Sequence, residues 1–463
     1  MSRAPGRRLA LARLALARLA LARLALTRLA LTRLALTVAL LLGFHLGCSV
    51  ALAQGDVSRP GGEVAGSELE VYVMTMGQGD LLWERFGHNA LGIRDRAAGT
   101  DIVYNWGTFS FEQADFLPRF LRGEMLYWMA PHDAAATLAA YESWNRSVTV
   151  QRLNLTPAQR DSVRRFVEWN QQDANKFYRY DYYLDNCSTR VRDALDAVLG
   201  GAIRRATDSL RTPMTYRDHS LRLMDGMFWS RTGIDLGLGA PTDRPISAWE
   251  AMFIPMEVQR GLRSIRVPDS TGALVPLVAS EEILFEATRA PERKDVPRLA
   301  GTAFLFGLAI AGVLLALGYR LPGRFAATTL AMVCSLVAGT FGLLLFLLWT
   351  VTQHGATHGN QNLFFVQPLW LAVFALVPFV RAGRTSRDRL LLLVRLCTGL
   401  ALVGGVVALT PFGQPSGEIA AFAVPVIVAV YLLVLRVVYL AQQAAKAGSG
   451  SGSRPATVAA VRS

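Results

Sequence analysis

Five long apolar runs in the last third of the chain constrain its fold more than any other feature. The hydrocarbon core of a bilayer is about 30 Å thick, and a helix needs roughly 20 apolar residues to cross it. We predict five such helices, at residues 299–319, 326–351, 363–380, 390–409 and 419–440. The sequence therefore predicts an all-α bundle of about five transmembrane helices within residues 298–441.

The distribution of basic residues predicts the orientation of this bundle. Arg and Lys follow the first, third and fifth apolar runs, whereas the loops at 352–362 and 412–418 contain neither. Because basic loops stay in the cytoplasm, the two uncharged loops are predicted outside and the carboxyl terminus inside. The small, polar tail at 442–463 is expected to be disordered in the cytoplasm.

The amino terminus has the pattern of an export signal. Repeats of "RLALA" and "RLALT" lead into an apolar stretch that ends at Ala51-Leu52-Ala53, which predicts a signal peptide over residues 1–53 and cleavage before Gln54. The repeat is longer than export requires, which suggests an over-extended reading frame or a codon-repeat expansion and leaves the true start codon open. A lipoprotein signal at Cys48 is disfavoured because His45 occupies a position that prefers a branched apolar residue. Export agrees with the predicted orientation.

The formal net charge of +13 does not indicate nucleic-acid binding. Much of this charge lies in the amino-terminal repeat and in the predicted cytoplasmic loops, without a basic helix, zinc-finger spacing or aromatic platform. No nucleotide-binding signature occurs, and the acidic residues Asp235, Asp243 and Glu250 are too scattered for a metal site. We therefore expect no cofactor, no metal and no nucleic-acid partner.

Between the signal and the bundle, the sequence predicts one outer α+β domain at residues 68–265, preceded by a linker at 54–67. The runs "HNALGIRD" and "DIVYNWGTF" predict a β-hairpin, and helical patterns follow at 134–145 and 156–170. The aromatic segment "WGTFSFEQADFLPRFLRGEMLYWM" is expected to make core or membrane-surface contacts rather than a cofactor site. A second linker is predicted at 266–297.

One cysteine stands alone in the outer domain. Cys48 lies in the signal and Cys334 and Cys397 lie in predicted spans, so Cys187 has no intramolecular partner outside the membrane. It is therefore a passive buried thiol, an intermolecular bridge or a nucleophile. The stretch "DNCSTRVRDALDAVLGG" predicts a helix that begins near Cys187, where the helix dipole favours a thiolate.

A nucleophilic thiol needs a base, and the outer domain offers His88, His132 and His219. We favour His88, which follows a glycine at the start of a predicted strand. Asn105, on the other strand of the hairpin, lies within cross-strand reach of His88 and is the predicted orienting group. Two further residues are alternative orienting groups, namely Glu84 and Asp185.

Other polar residues near the cysteine are candidates for substrate binding or for stabilising an oxyanion. The oxyanion donors are predicted to be the backbone N–H of Cys187 and a neighbouring side chain such as Asn186 or Ser188. Arg190 either faces solvent or holds a phosphate. Asn89 and Glu84 complete this group of candidates.

The segments "YVMTMGQGDLLWERFGHNALGIRD", "VYNWGTFSF", "NRSVTVQRLNL", "YDYYLDNCSTRVRDALD" and "DRPISAWEAMFIPM" resemble the Lnb amino-terminal periplasmic domain family over about residues 68–260. The resemblance implies a fold similar to circularly permuted papain-like enzymes of the NlpC-like group, in which histidine precedes cysteine, as His88 precedes Cys187. It implies a bacterial inner-membrane acyltransferase with its amino-terminal domain in the periplasm. Cys187 would take an acyl chain from phospholipid as a thioester and pass it to the amine of a diacylglyceryl lipoprotein.

The outer loop at 352–362 resembles a His- and Asn-bearing segment of the same family, although Gly355 stands where proline is usual. His354 and His358 are therefore candidates for completing the site or binding a lipid headgroup. Two alternatives to the acyltransferase stay open: a cell-envelope cysteine hydrolase that cuts peptide or amide bonds, and a non-catalytic membrane assembly protein. The sequence gives no oligomeric state.

Overall fold

The computed structural model of the protein describes residues 64–321, 323–380 and 384–450. The predicted signal peptide, Cys48 and most of the predicted cytoplasmic tail lie outside the described residues. The described chain has a sheet-containing amino-terminal part, called the sheet domain below, followed by apolar helices. This is the predicted α+β domain followed by a five-helix bundle, while the permuted papain-like relationship stays a prediction.

The sheet domain is built on one large antiparallel sheet. Seven strands form it in the spatial order β11-β5-β1-β2-β3-β4-β6. These strands are β1 Leu69–Met76, β2 His88–Asp95, β3 Thr100–Thr108, β4 Leu126–Asp133, β5 Val148–Leu153, β6 Phe177–Arg179 and β11 Val278–Phe285. Small two-stranded sheets pair β7 Arg211–Thr215 with β8 Pro245–Ser247, and β9 Arg266–Pro268 with β10 Leu274–Pro276.

Helices cover both faces of the large sheet. The helices of this domain are α1 Phe116–Arg122, α2 Ala134–Ser143, α3 Pro157–Asn170, α4 Cys187–Val198, α5 Ala202–Thr207, α6 Tyr216–Leu223, α7 Phe228–Gly237, α8 Ala248–Ala251 and α9 Pro255–Ser264. Alternate residues of β1 point to opposite faces, as strand geometry requires. Leu69, Val71 and Val73 lie in one apolar core with α3, α4 and α9, whereas Tyr72 and Met74 lie in another beside α2.

The predicted hairpin and both predicted helices are present, as β2, β3, α2 and α3. The segment 266–297, expected to be a linker, instead contains β9, β10 and β11. Strand β11 pairs with β5 and forms an edge of the large sheet. Its apolar pattern is interrupted by Glu281 and Glu282, which is typical of an edge strand because charges there oppose further strand pairing. The interrupted pattern explains why the sequence did not predict this strand.

Five segments are long and apolar enough to cross a membrane. They contain helices α10 Ala300–Arg320, α11 Phe325–Thr350, α12 Leu369–Leu376, α13 Arg384–Val407 and α14 Gly417–Gly450. Four of the predicted spans are continuous helices. The third is broken: only α12 is α-helical, with 3-10 turns on either side. Pro368 and Pro378 explain the break, because proline lacks an N–H and disfavours helical geometry in the residue before it.

The bundle is held together by close approaches at small residues. A Cβ added to Gly307 of α10 would lie 2.6 Å from the carbonyl oxygen of Phe422 on α14. A Cβ added to Gly342 of α11 would lie 2.4 Å from the oxygen of Val366. Lipid tails are as apolar as the helices, so the hydrophobic effect does not drive membrane helices together. Small residues favour their association instead, because they let the backbones pack closely.

Polar contacts join the sheet domain to the loops of the bundle. The buried amide of Asn362 donates hydrogen bonds to the carbonyls of Asp235 and Leu236, at 3.1 and 3.0 Å. Gln414 donates to the carbonyl of Leu238 at 3.0 Å. These contacts use residues of the two loops without basic residues, 352–362 and 412–418. The sheet domain therefore lies against the side of the bundle that was predicted to face outward.

Candidate active site

Helix α4 begins at Cys187, as the sequence predicted, because Asn186 caps it. The Asn186 side-chain oxygen accepts hydrogen bonds from the backbone N–H groups of Ser188 and Thr189, at 2.9 and 3.0 Å. Its Nδ2 donates to the carbonyls of Tyr182 and Phe253, both at 2.9 Å. Asn186 is thus fully engaged in anchoring the helix. Its cap places the Cys187 thiol in the first helical turn, where the helix dipole favours an anion.

The imidazole of His88 projects from the first residue of β2. Strands β2 and β3 pair Leu91 with Tyr104, and this register makes His88 a diagonal neighbour of Asn105 on the same face. The His88 Nε2 lies 3.0 Å from the Asn105 Oδ1. The Asn105 Nδ2 donates to the carbonyl of Val103 at 3.2 Å, which directs its Oδ1 toward the ring. With Nε2–H donating to Asn105, Nδ1 is the nitrogen left for the thiol.

The environment of Cys187 favours its thiolate. Burial raises the pKa of the thiol, but the positive charge of His88 and hydrogen bonds from His88, the backbone N–H of Asn89 and Ser188 outweigh it and lower the pKa from 9.0 to about 7. The residue is partly accessible to solvent. A thiol that is both accessible and substantially ionised at neutral pH meets the requirements of a nucleophile.

Asn89 contributes its backbone to the site and its side chain to the sheet. Its side chain is completely buried, and Nδ2 donates to the hydroxyl of Thr75 at 2.9 Å. Its backbone N–H helps to lower the pKa of the Cys187 thiol and therefore lies near it. A backbone donor beside the nucleophile is suited to stabilise negative charge during reaction. The Ser188 hydroxyl lies 3.8 Å from the same sulfur.

Gly107 lies beside Cys187 at an irregular point of the sheet. It has φ +95° and lies where the pairing of β3 with β4 shifts by a residue, between Trp106 and Thr108. A Cβ added here would lie 3.7 Å from the Cβ of Cys187 and 4.0 Å from Cε2 of Tyr180. Gly107 was not among the predicted site residues, although a glycine inside a strand pattern is itself a signal for a bulge or a close backbone approach.

The other proposed orienting groups have different partners. Asp185 binds both the Nε and the Nη2 of Arg190, the latter at 2.6 Å. The guanidinium of Arg190 also lies 4.2 Å over the ring of Tyr178. Glu84 accepts a hydrogen bond from the backbone of Leu81 and lies 3.8 Å from a guanidinium nitrogen of the buried Arg146. Of the three candidates, Asn105 is therefore the one bonded to His88.

The remaining histidines of the sheet domain have other surroundings. His132 is exposed on β4, opposite Val103. His219 is buried in α6, where its Nδ1 faces Nη2 of Arg222 at 3.0 Å. Burial, followed by the charge of Arg222, lowers the pKa of His219 to about 3, so the ring stays neutral. Neither ring contributes to the stabilisation of the Cys187 thiolate.

His354 and His358 lie in the outer loop of the bundle. The His354 Nε2 lies 2.9 Å from the carbonyl oxygen of Phe120, at the end of α1. The His358 Nε2 lies 3.4 Å from the carbonyl of Thr352 within its own loop. Their hydrogen bonds thus hold the loop and join it to α1 rather than to Cys187. Within the three described ranges, no group of His, Cys, Asp and Glu side chains is arranged to hold a metal ion.

Comparison with known proteins agrees with this architecture. Residues 60–221 match the family model described as the Lnb N-terminal periplasmic domain, and residues 301–447 match the Lnb transmembrane domain. The first range contains Cys187, His88 and Asn105, and the second contains the outer loop with His354 and His358. No curated protein and no solved structure matches the chain.

Proposed function

Because this chain belongs to the Lnb family and carries both of its domains, we propose that it is a membrane-bound thiol acyltransferase acting on lipoproteins. It moves a fatty acyl chain from phospholipid to the amino-terminal amine of a diacylglyceryl lipoprotein through a thioester on Cys187. The single observation that carries the proposal is the Cys187 thiol, with its pKa lowered to about 7 beside His88, which is itself bonded to Asn105.

The first half-reaction forms the thioester. The Cys187 thiolate attacks the carbonyl carbon of a glycerol ester, and the carbonyl oxygen becomes an oxyanion near the backbone N–H of Asn89. The carbon–oxygen ester bond then breaks, and protonated His88 gives its proton to the departing glycerol oxygen. The products are an acyl-thioester on Cys187, a lysolipid and a neutral imidazole.

The second half-reaction transfers the acyl chain to nitrogen. The amine of the lipoprotein attacks the thioester carbonyl, and neutral His88 removes a proton from the attacking nitrogen. The carbon–sulfur bond breaks, which releases the amide product and regenerates the thiolate and the imidazolium. Asn105 accepts a hydrogen bond from the His88 Nε2–H in both steps and keeps the ring in one orientation.

The membrane arrangement supports lipid substrates. The family matches identify a periplasmic domain joined to a transmembrane domain, and the charges of the loops favour a cytoplasmic carboxyl terminus in the bacterial inner membrane. The contacts of the sheet domain with the loops predicted to face outward support a position of Cys187 on the side where exported lipoproteins reside. A soluble substrate would not require five membrane spans.

The test is mass spectrometry of lipoprotein amino termini in cells that lack their own N-acyltransferase. We expect N-acylation with the parent chain and none with Cys187→Ala. Cys334→Ala is the matched control, since it removes a thiol from the membrane bundle, and it should retain activity. If the membrane-inserted parent leaves the amines free, the transferase assignment is wrong, and cleavage of cell-wall peptides in water becomes the next assay.

The ester donor is tested separately, because phospholipid and the diacylglyceryl group of the lipoprotein carry the same kind of ester. The purified full-length protein is supplied with unlabelled phospholipid and a lipopeptide whose two acyl chains are deuterated. An unlabelled amide is expected if phospholipid is the donor. A deuterated amide would still agree with thioester chemistry on Cys187. It would show, however, that the acyl donor is the lipoprotein itself and not phospholipid.

A further inference from the structure

Helix α1 exposes an apolar surface outside the membrane bundle. The side chains of Leu117, Leu121 and Phe111 are 62%, 58% and 71% exposed. Single exposed apolar residues are ordinary, but several large ones on and beside one short helix form a patch that favours an apolar partner. The exposed Arg122 adds a positive charge to the same helix.

Behind this surface, aromatic rings follow one another toward the active site. We call them the aromatic row: Phe120, Phe116, Phe109, Tyr127 and Tyr180. The successive distances between ring centroids are 6.2, 6.1, 5.0 and 4.4 Å, and all four pairs are stacked.

The inner end of the aromatic row is at the nucleophile. A Cβ added to Gly107 would contact both the Cβ of Cys187, at 3.7 Å, and Cε2 of Tyr180, at 4.0 Å, so the Tyr180 ring and the cysteine lie close together. Burial raises the pKa of Tyr127, and burial followed by the neighbouring thiolate raises that of Tyr180, so both rings stay uncharged at neutral pH. The row is therefore uncharged along its length and ends beside Cys187.

The outer end of the aromatic row is at the membrane. The ring of Phe120 lies 6.3 Å from that of His354, and the backbone N–H of Gln353 donates to the carbonyl of Arg122 at 2.7 Å. Helix α11 ends at Thr350, so a few residues of extended chain, at most about 14 Å, separate His354 from the end of a predicted membrane span. Helix α1 is thus joined to the loop that directly follows a predicted membrane span.

We propose that the α1 surface and the aromatic row form the binding path for the acyl chain of the donor lipid, leading from the outer leaflet to Cys187. The inference rests on the proposed function, because it supplies the route by which a lipid ester reaches the thiol. An acyl chain gains from the removal of apolar surface from water, and stacked rings without charge offer that surface continuously.

The test compares a long-chain donor with a short, water-soluble donor on the full-length protein in phosphatidylethanolamine and phosphatidylglycerol nanodiscs. Thioester formation on Cys187 is measured by mass spectrometry with phospholipid and with p-nitrophenyl butyrate. We expect Phe116→Ala and Leu117→Asp to lower the long-chain rate by about tenfold or more and to leave the short-chain rate within about twofold.

Phe228→Ala is the matched control, because Phe228 is a 59% exposed phenylalanine on α7 whose ring makes an edge-to-face contact with Trp229 and is not part of the aromatic row. Phe109→Leu retains bulk if Phe116→Ala fails to fold, and it should alter the preference for chain length in the same direction. If the ratio of long-chain to short-chain rates is unchanged in all variants of α1 and the aromatic row, the acyl-chain path is wrong, but the proposed function is not affected. Absence of any thioester in the parent would overturn the proposed function as well.

A second measurement locates the chain directly. Phospholipid with a diazirine at the end of its acyl chain is incorporated into the nanodiscs and activated by light. We expect labelled peptides from residues 109–127 of the parent. This range includes α1 and four members of the aromatic row, namely Phe109, Phe116, Phe120 and Tyr127. Labels confined to the five membrane helices would contradict the proposal.

Discussion

His88 and Asn105 are diagonal neighbours on adjacent antiparallel strands, and their Nε2 and Oδ1 atoms lie 3.0 Å apart. A hairpin is a rigid support for such a pair, because its register fixes which side chains share a face. The thiol comes from a different element, the beginning of α4. The proposed catalytic group is therefore assembled from a hairpin and a helix terminus. In the sequence, Cys187 follows Asn105 by 82 residues (187 − 105).

The first prediction concerns Asn105→Ala. Loss of a hydrogen bond to a group that becomes charged costs about 1.5–3 kcal/mol, which corresponds to a fall in kcat of about 10- to 150-fold. Asn105→Asp keeps an oxygen acceptor and should recover part of the loss. The measurement is the rate of lipopeptide acylation by full-length protein. Equal rates for the parent and Asn105→Ala would contradict the orienting role.

The second prediction concerns the pH dependence of the Cys187 thiol. Its pKa is lowered to about 7, so the thiolate fraction and the alkylation rate should rise with pH through a midpoint near 7. His88→Ala removes a positive charge and a hydrogen bond, and the midpoint should move upward. Iodoacetamide labelling in a background with Cys48, Cys334 and Cys397 changed to Ser reports Cys187 alone. An alkylation midpoint that is the same in the parent and in His88→Ala would argue against the pairing of Cys187 with His88.

The third prediction separates the cap of α4 from an ordinary helix cap. Asn186→Ala removes two cap hydrogen bonds and the donors to Tyr182 and Phe253, which together should cost about 2–3 kcal/mol. It should also raise the pKa of Cys187 by loosening the helix terminus.

The control for this prediction is Thr156→Ala, which removes the cap of α3 and should cost about 1 kcal/mol. The thermal unfolding temperature of Asn186→Ala should be lower than that of Thr156→Ala, and only Asn186→Ala should alter the alkylation of Cys187. If both variants leave the alkylation profile unchanged, the cap does not tune the thiol.

The fourth prediction tests the contact between the sheet domain and the outer loop. A Cβ at Gly239 would lie 2.0 Å from the carbonyl oxygen of His358, whereas one at Gly237 would meet nothing within 4 Å. Gly239→Ala should therefore displace the loop and lower lipoprotein acylation, and Gly237→Ala should not. Cys187 alkylation should stay at the parent rate in both variants. Parent-like acylation by Gly239→Ala would mean that this contact is dispensable.

Several features of the site were predictable because they depend on local pattern. The polar turn before "CSTRVRDALDAV" predicts a helix start, and Asn186 provides the cap that puts Cys187 in its first turn. The two β-rich runs predict the hairpin that brings Asn105 within reach of His88. The choice of Asn105 over Asp185 was not decided by pattern, since it depends on the fact that Arg190 folds back to bind Asp185.

The sequence by itself determined that this chain crosses a membrane and carries one outer thiol, because span length, loop charge and cysteine position are properties of the linear chain. Only the tertiary structure decided that β11 completes the large sheet and that Gly107 lies beside Cys187. It also brought the outer loop against α1. Each of these features depends on contacts between residues that are far apart in the sequence. A local sequence pattern does not specify the energies of such contacts.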